Sequence, residues 1–128
     1  MRMNTNDTNE YTKMIYKELS YKINGIRFKV HNELGRFFKE KQYADTIELL
    51  LKDAKINYTR EKITSLNNIP DFIIENKIVL ELKTEPFILK DHYNQVQRYL
   101  QDSGLKLGLL ANFRNKYLKP VRIIRINS

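Results

Sequence analysis

Two carboxylates and a lysine near the middle of the sequence have the spacing of a metal site. Asp71 is followed ten residues later by Glu81 and then by Lys83, and aliphatic residues surround all three. A polar turn at residues 75–77 separates the two aliphatic runs, which predicts a β-hairpin centred on Asn76. Asp71 then lies opposite Glu81, with Cβ atoms about 5 Å apart. Two like charges at this separation favour a divalent cation between them.

Strand alternation predicts where the lysine points. Glu81 and Lys83 share one face of the second strand, whereas Leu80 and Leu82 point the other way into a core. Oxygen ligands of this kind favour Mg²⁺ or Mn²⁺ over zinc. The alternative is an ordinary surface ion pair between Glu81 and Lys83, because 30% of the residues are charged.

Length, charge and composition limit the class of protein. The 128 residues fit one domain, which we place at residues 11–128 behind a flexible, polar N-terminal arm at residues 1–10. The net charge of +8 indicates a nucleic-acid partner, although an AT-rich genome could also account for many of the lysines. The sequence has no cysteine and no long apolar run, so we expect no membrane contact and a cytoplasmic location.

The periodicity of apolar residues predicts an α/β fold with a mixed central sheet flanked by helices, in the order ααβββαββ. One helix ends at Gly35, a second runs from about Phe38 to Ala54, and a third covers Leu89 to Ser103. Strands are expected at Ile56 to Ile63, in the hairpin described above, and at residues 105–113 and 121–126.

The motifs together resemble a known family of nucleases. Residues 30–43 read Val-His-Asn-Glu-Leu-Gly-Arg-Phe-Phe-Lys-Glu-Lys-Gln-Tyr. This run is similar to the Val-His, Leu-Gly and Glu-x-x-Tyr signature of the GxxExxY family, a branch of the PD-(D/E)XK nuclease superfamily. Pro70-Asp71 and Glu81-Leu82-Lys83 resemble the acidic motif of that superfamily. Phe37 is a departure, because it stands where the family has its second glycine.

Further matches extend the resemblance over residues 19–126. His92, Gln95 and Tyr99 match an H-x-x-Q-x-x-x-Y portion, and residues 108–113 match a strand near the end of the family pattern. The resemblance implies a restriction-endonuclease-like PD-(D/E)XK core and a metal-dependent nuclease, most simply a magnesium-dependent endonuclease, that hydrolyses phosphodiester bonds in DNA.

The resemblance also assigns roles to individual residues. Glu40 would be the third carboxylate ligand beside Asp71 and Glu81, with the Leu82 carbonyl completing the protein ligands, although Glu33 and Glu48 are positioned almost as well. Lys83 would orient the attacking water and stabilise negative charge. Gln95 would reach the metal site or a phosphate, and Tyr99 would either brace Gln95 or stack on a base.

Basic residues around the first two helices are suited to phosphate contacts. We assign nucleic-acid binding to Arg36 and Lys39 of this stretch and to His92 and Tyr99 of the third helix. The wider basic stretch also contains Lys22, Arg27, Lys29 and Lys41.

A second class of function stays open. The same fold could serve as a nucleic-acid-binding or scaffolding protein with little or no turnover. Within the nuclease interpretation, a homodimer that acts like a junction resolvase is a further variant.

Overall fold

The structure is a computed structural model that describes residues 15–61 and 68–126. Within these ranges, three helices and five strands follow one another in the predicted order. The helices are α1 (Lys17–Leu34), α2 (Glu40–Asp53) and α3 (Lys90–Ser103). The strands are β1 (Tyr58–Arg60), β2 (Phe72–Ile74), β3 (Ile78–Lys83), β4 (Leu107–Asn112) and β5 (Val121–Ile124). The α/β class and the element order are confirmed.

The strands form one mixed sheet in the order β1-β2-β3-β4-β5. Neighbouring strands are antiparallel except for β3 and β4, which pair in parallel. A parallel pair needs a long crossover, and α3 provides it. The carboxyl ends of β3 and β4 therefore lie side by side, with Lys83 opposite Asn112.

The hairpin of β2 and β3 turns where the sequence predicts. Lys77 donates its backbone N–H to the Ile74 carbonyl at 2.9 Å, and Glu75 and Asn76 both have positive φ, 52° and 53°. Positive φ at both central residues is typical of a type I′ turn, whose twist matches that of the paired strands. The turn therefore fixes the register of the hairpin.

Helices cover both faces of the sheet. On one face α1 and α2 pack on alternate residues of β3, including Leu80 and Leu82, in the larger apolar cluster. On the other face α3 packs on Val79 in a smaller cluster. Gly108 of β4 lies directly beneath the Val96 side chain of α3, so the close approach of this helix requires a residue without Cβ at that position.

Some boundaries differ from the sequence expectations. Helix α2 begins at Glu40 and not at Phe38, and Ala54 is its exposed C-terminal cap. Strand β1 contains only Tyr58–Arg60, because Glu61 has a positive φ of 54° and leaves the strand. The rest of the expected strand, residues 62 and 63, lies outside the described residues, as does the predicted arm at residues 1–10. No helix in the described part of the chain is long and apolar enough to span a membrane.

Candidate metal-dependent active site

Asp71 and Glu81 face each other across the hairpin, as the turn position predicts. Phe72 pairs with Leu80, so the next pair in this register is Asp71 and Glu81. Their side chains replace the regular ladder at this end. Glu81 Oε1 accepts the Asp71 backbone N–H at 3.0 Å, and Asp71 Oδ2 accepts the Leu82 backbone N–H at 2.7 Å. Each carboxylate is thus held in place by the backbone of the opposite strand.

The second oxygen of each carboxylate, Asp71 Oδ1 or Glu81 Oε2, accepts no backbone N–H of the described residues. Lys83 Nζ lies 3.3 Å from Glu81 Oε2 and donates a hydrogen bond to Gln95 Oε1 of α3 at 2.7 Å. Glu81 and Lys83 therefore share one face of β3, and α3 fixes the direction of the ammonium group.

Burial makes two negative charges at this position unfavourable. Glu81 is only 3% exposed. Burial first, and then the charge of Asp71, raise the pKa of Glu81 to about 8, while Lys83 lowers it by a smaller amount. Burial also raises the pKa of Asp71. One ammonium does not compensate the buried carboxylate of Glu81 and the partly buried carboxylate of Asp71, so the pair retains a proton at neutral pH.

Glu40 lies at the edge of this group, at the first position of α2. Burial first, and then the charge of Asp71, raise the pKa of Glu40 to about 7, while Lys83 opposes the shift. Glu40 forms no ion pair with its neighbour Lys41, which pairs with Asp45 at 3.0 Å in the described part of the chain. Glu40 therefore lies close enough to Asp71 for the two charges to interact.

A complete set of three ligands is not formed in this conformation. Residues 15–61 and 68–126 contain no group of three or more Asp, Glu, His or Cys side chains close enough to hold a metal. The assignment of Glu40 as a ligand stays a prediction. The alternative Glu48 is engaged elsewhere, 3.7 Å from Arg60 and 4.0 Å from Lys52, and Glu33 is exposed on α1.

The residues present have the donor chemistry that a hard divalent cation requires. Asp71 and Glu81 offer oxygen atoms only, and they are rigidly held with raised pKa values. Mg²⁺ is typically bound through one or two carboxylates, with waters completing its shell. Asp71 and Glu81 therefore fit Mg²⁺ or Mn²⁺ as a two-carboxylate site.

Residues assigned to α3 have different environments from one another. Tyr99 is only 5% exposed, so its ring cannot stack on a base in this conformation. Burial, followed by the charges of Glu81 and Asp71, raises the pKa of its hydroxyl, which is consistent with a bracing position beneath the acidic pair. His92 Nδ1 accepts the backbone N–H of Leu89 at 2.9 Å and so caps the start of α3.

The basic residues also separate into two groups. Lys22, Lys29, Lys39 and Lys41 are exposed and Arg36 is partly exposed, but Arg27 is completely buried and cannot contact a phosphate. Burial lowers the pKa of Arg27 to about 9, and its guanidinium hydrogen bonds to Asn24 one turn earlier. Arg27 follows Ile23 at helical spacing, which puts it in the apolar stripe of α1.

Asn112 is a structural element of the site that sequence reasoning missed. Its buried side chain donates from Nδ2 to the Glu85 carbonyl at 2.7 Å and accepts the Glu85 backbone N–H at Oδ1 at 3.1 Å. The Phe113 backbone N–H donates to the Lys83 carbonyl at 2.8 Å. These bonds fix the chain that follows Lys83. A polar residue at the end of the buried apolar strand β4 was the available signal.

The fold and this site together define a class of protein. An acidic pair lies across a hairpin and is followed by a lysine, on a mixed sheet with helices on both faces. A sequence model of the PD-(D/E)XK nuclease superfamily matches residues 17–126, and the chain belongs to this superfamily. Comparison with curated proteins gives no match, and neither does comparison with solved structures.

Proposed function

We propose that the protein is a metal-dependent nuclease that hydrolyses phosphodiester bonds in DNA, with Mg²⁺ or Mn²⁺ held by Asp71, Glu81 and the Leu82 carbonyl. The observation that carries this proposal is the acidic pair itself. The buried carboxylate of Glu81 and the partly buried carboxylate of Asp71 are each hydrogen-bonded to the opposite strand, and the ammonium of Lys83 lies 3.3 Å from Glu81. Like charges in such a place destabilise a fold, so their presence points to a role in binding or catalysis.

Asp71 and Glu81 would contribute to hydrolysis by binding a divalent ion. When bound, a divalent ion supplies Lewis acidity to the scissile phosphate and increases the acidity of water. Asp71 and Glu81 would hold that ion, because the hairpin backbone keeps both carboxylates in place. Preorganised charge of this kind needs no rearrangement when the transition state forms.

Lys83 would act on the reacting groups directly. Its Nζ is held between Glu81 Oε2 and Gln95 Oε1, at 3.3 and 2.7 Å, and these contacts engage two of the three ammonium donors. There it would orient the attacking water and stabilise the negative charge that develops on the phosphate. Gln95 would serve as the positioning residue for Lys83.

Glu40 would complete the ligand set after a small movement of its side chain. Its raised pKa of about 7 reflects burial and the nearby charge of Asp71, both of which a bound cation would offset. Glu40 would therefore ionise as the cation binds, so that metal binding releases protons.

The test is cleavage of a panel of labelled DNA substrates: duplex, single-stranded, flap and four-way. Wild type and Asp71→Asn are compared with Mg²⁺, with Mn²⁺ and with EDTA. We expect cleavage with either metal, none with EDTA, and a loss of activity in Asp71→Asn that the exposed control Asp53→Asn does not show. Metal-independent cleavage, or equal cleavage by Asp71→Asn, would contradict the proposal.

One observation favours the second function, a nucleic-acid-binding or scaffolding protein with little turnover. The described residues bring together two carboxylate ligands and not three. Calorimetric titration with Mn²⁺ separates the two functions, because a protein that has lost turnover through loss of its metal should give no binding heat above that of Asp71→Asn.

We also propose that the chain belongs to the GxxExxY branch of the superfamily. The Tyr43 hydroxyl of the Glu-x-x-Tyr signature donates to the Gly35 carbonyl and accepts the Phe38 backbone N–H, which supports a structural role for that tyrosine in fixing Glu40. Gly35 has φ 78°, whereas Phe37 has no positive φ, so the departure from glycine at this position brings no backbone strain. Endonuclease action by a cytoplasmic homodimer is part of this proposal.

A further inference from the structure

The loops at residues 35–39 and 113–120 place two arginines against an exposed aromatic ring. The guanidinium carbons of Arg36 and Arg114 lie over the Phe37 ring, 5.0 and 5.7 Å from its centroid. Phe37 is nevertheless 74% exposed. We call these three residues the arginine–phenylalanine surface. A large apolar ring left in solvent, next to two cations, is suited to contact an anionic and planar partner.

Hydrogen bonds hold this surface rigid. The Arg36 Nε donates to the Arg114 carbonyl at 2.8 Å, which joins the two loops. The His31 Nε2 donates to the Asn115 carbonyl, also at 2.8 Å, and ties the second loop to α1. Because the loops are fixed before binding, ordering them costs a ligand little.

The surface adjoins the acidic pair. Phe37 precedes Glu40 by three residues, which span at most about 11 Å of extended chain. On the other side, the backbone hydrogen bond from Phe113 to the Lys83 carbonyl, at 2.8 Å, places Arg114 next to the end of β3. A nucleic acid whose scissile phosphate lies at Lys83 would therefore pass over the arginine–phenylalanine surface.

We propose that this surface stacks an unpaired nucleobase beside the scissile phosphate, and that the substrate is single-stranded nucleic acid or a single-stranded segment of a larger one. The proposal rests on the proposed nuclease function. A duplex exposes its phosphates but hides the faces of its bases, so the guanidinium groups of Arg36 and Arg114 would meet it without any role for the ring. Unpaired bases stack on aromatic rings and on guanidinium planes whatever their sequence.

The test compares binding of labelled oligothymidylate with binding of a duplex of the same length, by fluorescence anisotropy in EDTA. The variants are Phe37→Ala and Phe37→Trp, and Tyr21→Ala is the control because Tyr21 is a 78% exposed aromatic residue on α1. We expect Phe37→Ala to weaken single-strand binding about tenfold, the effect of one lost base stack. Duplex binding should change less than twofold, and Phe37→Trp should retain single-strand affinity.

The outcomes separate this proposal from the nuclease function. Equal losses on both ligands, no loss, an equal loss in Tyr21→Ala, or no binding of oligothymidylate by wild type would each overturn it. Because binding is measured without metal, a protein that shows the Phe37 effect but cleaves no DNA retains the stacking surface and loses the nuclease proposal. A protein that cleaves DNA but shows no Phe37 effect loses only the stacking surface.

Discussion

The same three-residue pattern occurs at both ends of strand β3, with different consequences. Glu75-Asn76-Lys77 forms the turn before the strand, and Glu81-Leu82-Lys83 ends it. In the turn, Glu75 Oε1 accepts the Asn57 backbone N–H at 2.8 Å. The Glu75 and Lys77 side chains form no ion pair with each other in the part of the chain that the structure describes. The first pattern therefore serves the turn and the adjoining strand.

At the other end of the strand, the two charged residues project from one face. Glu81 is buried opposite Asp71, and Lys83 is held 3.3 Å from it by a hydrogen bond to Gln95. Backbone conformation explains the difference, because positive φ in a turn separates neighbouring side chains, whereas a strand places residues i and i+2 side by side. A glutamate and a lysine two apart predict a metal site only when a buried strand carries them and a second acid faces them.

The largest expected effect distinguishes the two glutamates. Glu81→Gln should reduce cleavage at least about 100-fold, since loss of groups that merely support a metal ligand already costs 10- to 100-fold. Glu75→Gln should cleave at a rate close to wild type. Single-turnover rates with saturating Mn²⁺ measure both, and circular dichroism confirms that the variants fold. A comparable loss in both variants would mean that the effect is structural.

The two lysines give the next comparison. Lys83→Ala should reduce the single-turnover rate about 100-fold while Mn²⁺ affinity, measured by calorimetry, changes little, because its contact strengthens mainly in the transition state. Lys77→Ala, an exposed change in the turn, should be neutral. Lys83→Arg should recover only part of the rate, because a planar guanidinium does not reproduce a compact ammonium. Wild-type cleavage by Lys83→Ala would remove the lysine from the mechanism.

Local patterns in the sequence were enough to predict the geometry of the acidic pair. The turn residues fixed the register that sets Asp71 opposite Glu81, and strand alternation put Lys83 beside Glu81. Both features depend on residues close in sequence, so they are readable without the tertiary fold. The ends of α1 and α3 are also readable from local sequence, because each helix is followed by a glycine with positive φ, Gly35 and Gly104.

Features that depend on how deeply one element covers another were not predictable in this way. The charge of Arg27 groups it with the surface cations, although its spacing from Ile23 places it in the apolar stripe that packs inward. Tyr99 shares a helix face with the polar residues His92 and Gln95, a pattern that allows both bracing of Gln95 and base stacking, and only its burial in the fold excludes stacking in this conformation. The hydrogen bonds of Asn112 to Glu85 join segments that are distant in sequence, so no periodic pattern within either segment predicts them.

The smallest expected effect is on the stability of the metal-free protein, and it again separates Glu81 from Glu75. The pKa of Glu81 is raised from its ordinary value of 4.5 to about 8, so between these values the folded protein binds more protons than the unfolded chain. Stability must then fall as pH rises from about 5 to about 8. Glu40, with a pKa raised to about 7, adds to the fall with the same sign.

Urea unfolding in EDTA at several pH values measures the slope of the unfolding free energy against pH. Glu81→Gln should make this slope shallower, because glutamine does not titrate. The double variant with Glu81→Gln and Glu40→Gln should have a shallower slope still. Glu75→Gln should leave the slope as it is in wild type. Mn²⁺ should stabilise the wild type most at high pH, where both carboxylates are ionised and free to bind it, and so oppose the slope. An unchanged slope in Glu81→Gln would mean that the buried pair does not retain a proton, and the electrostatic argument for a cation between Asp71 and Glu81 would fail with it.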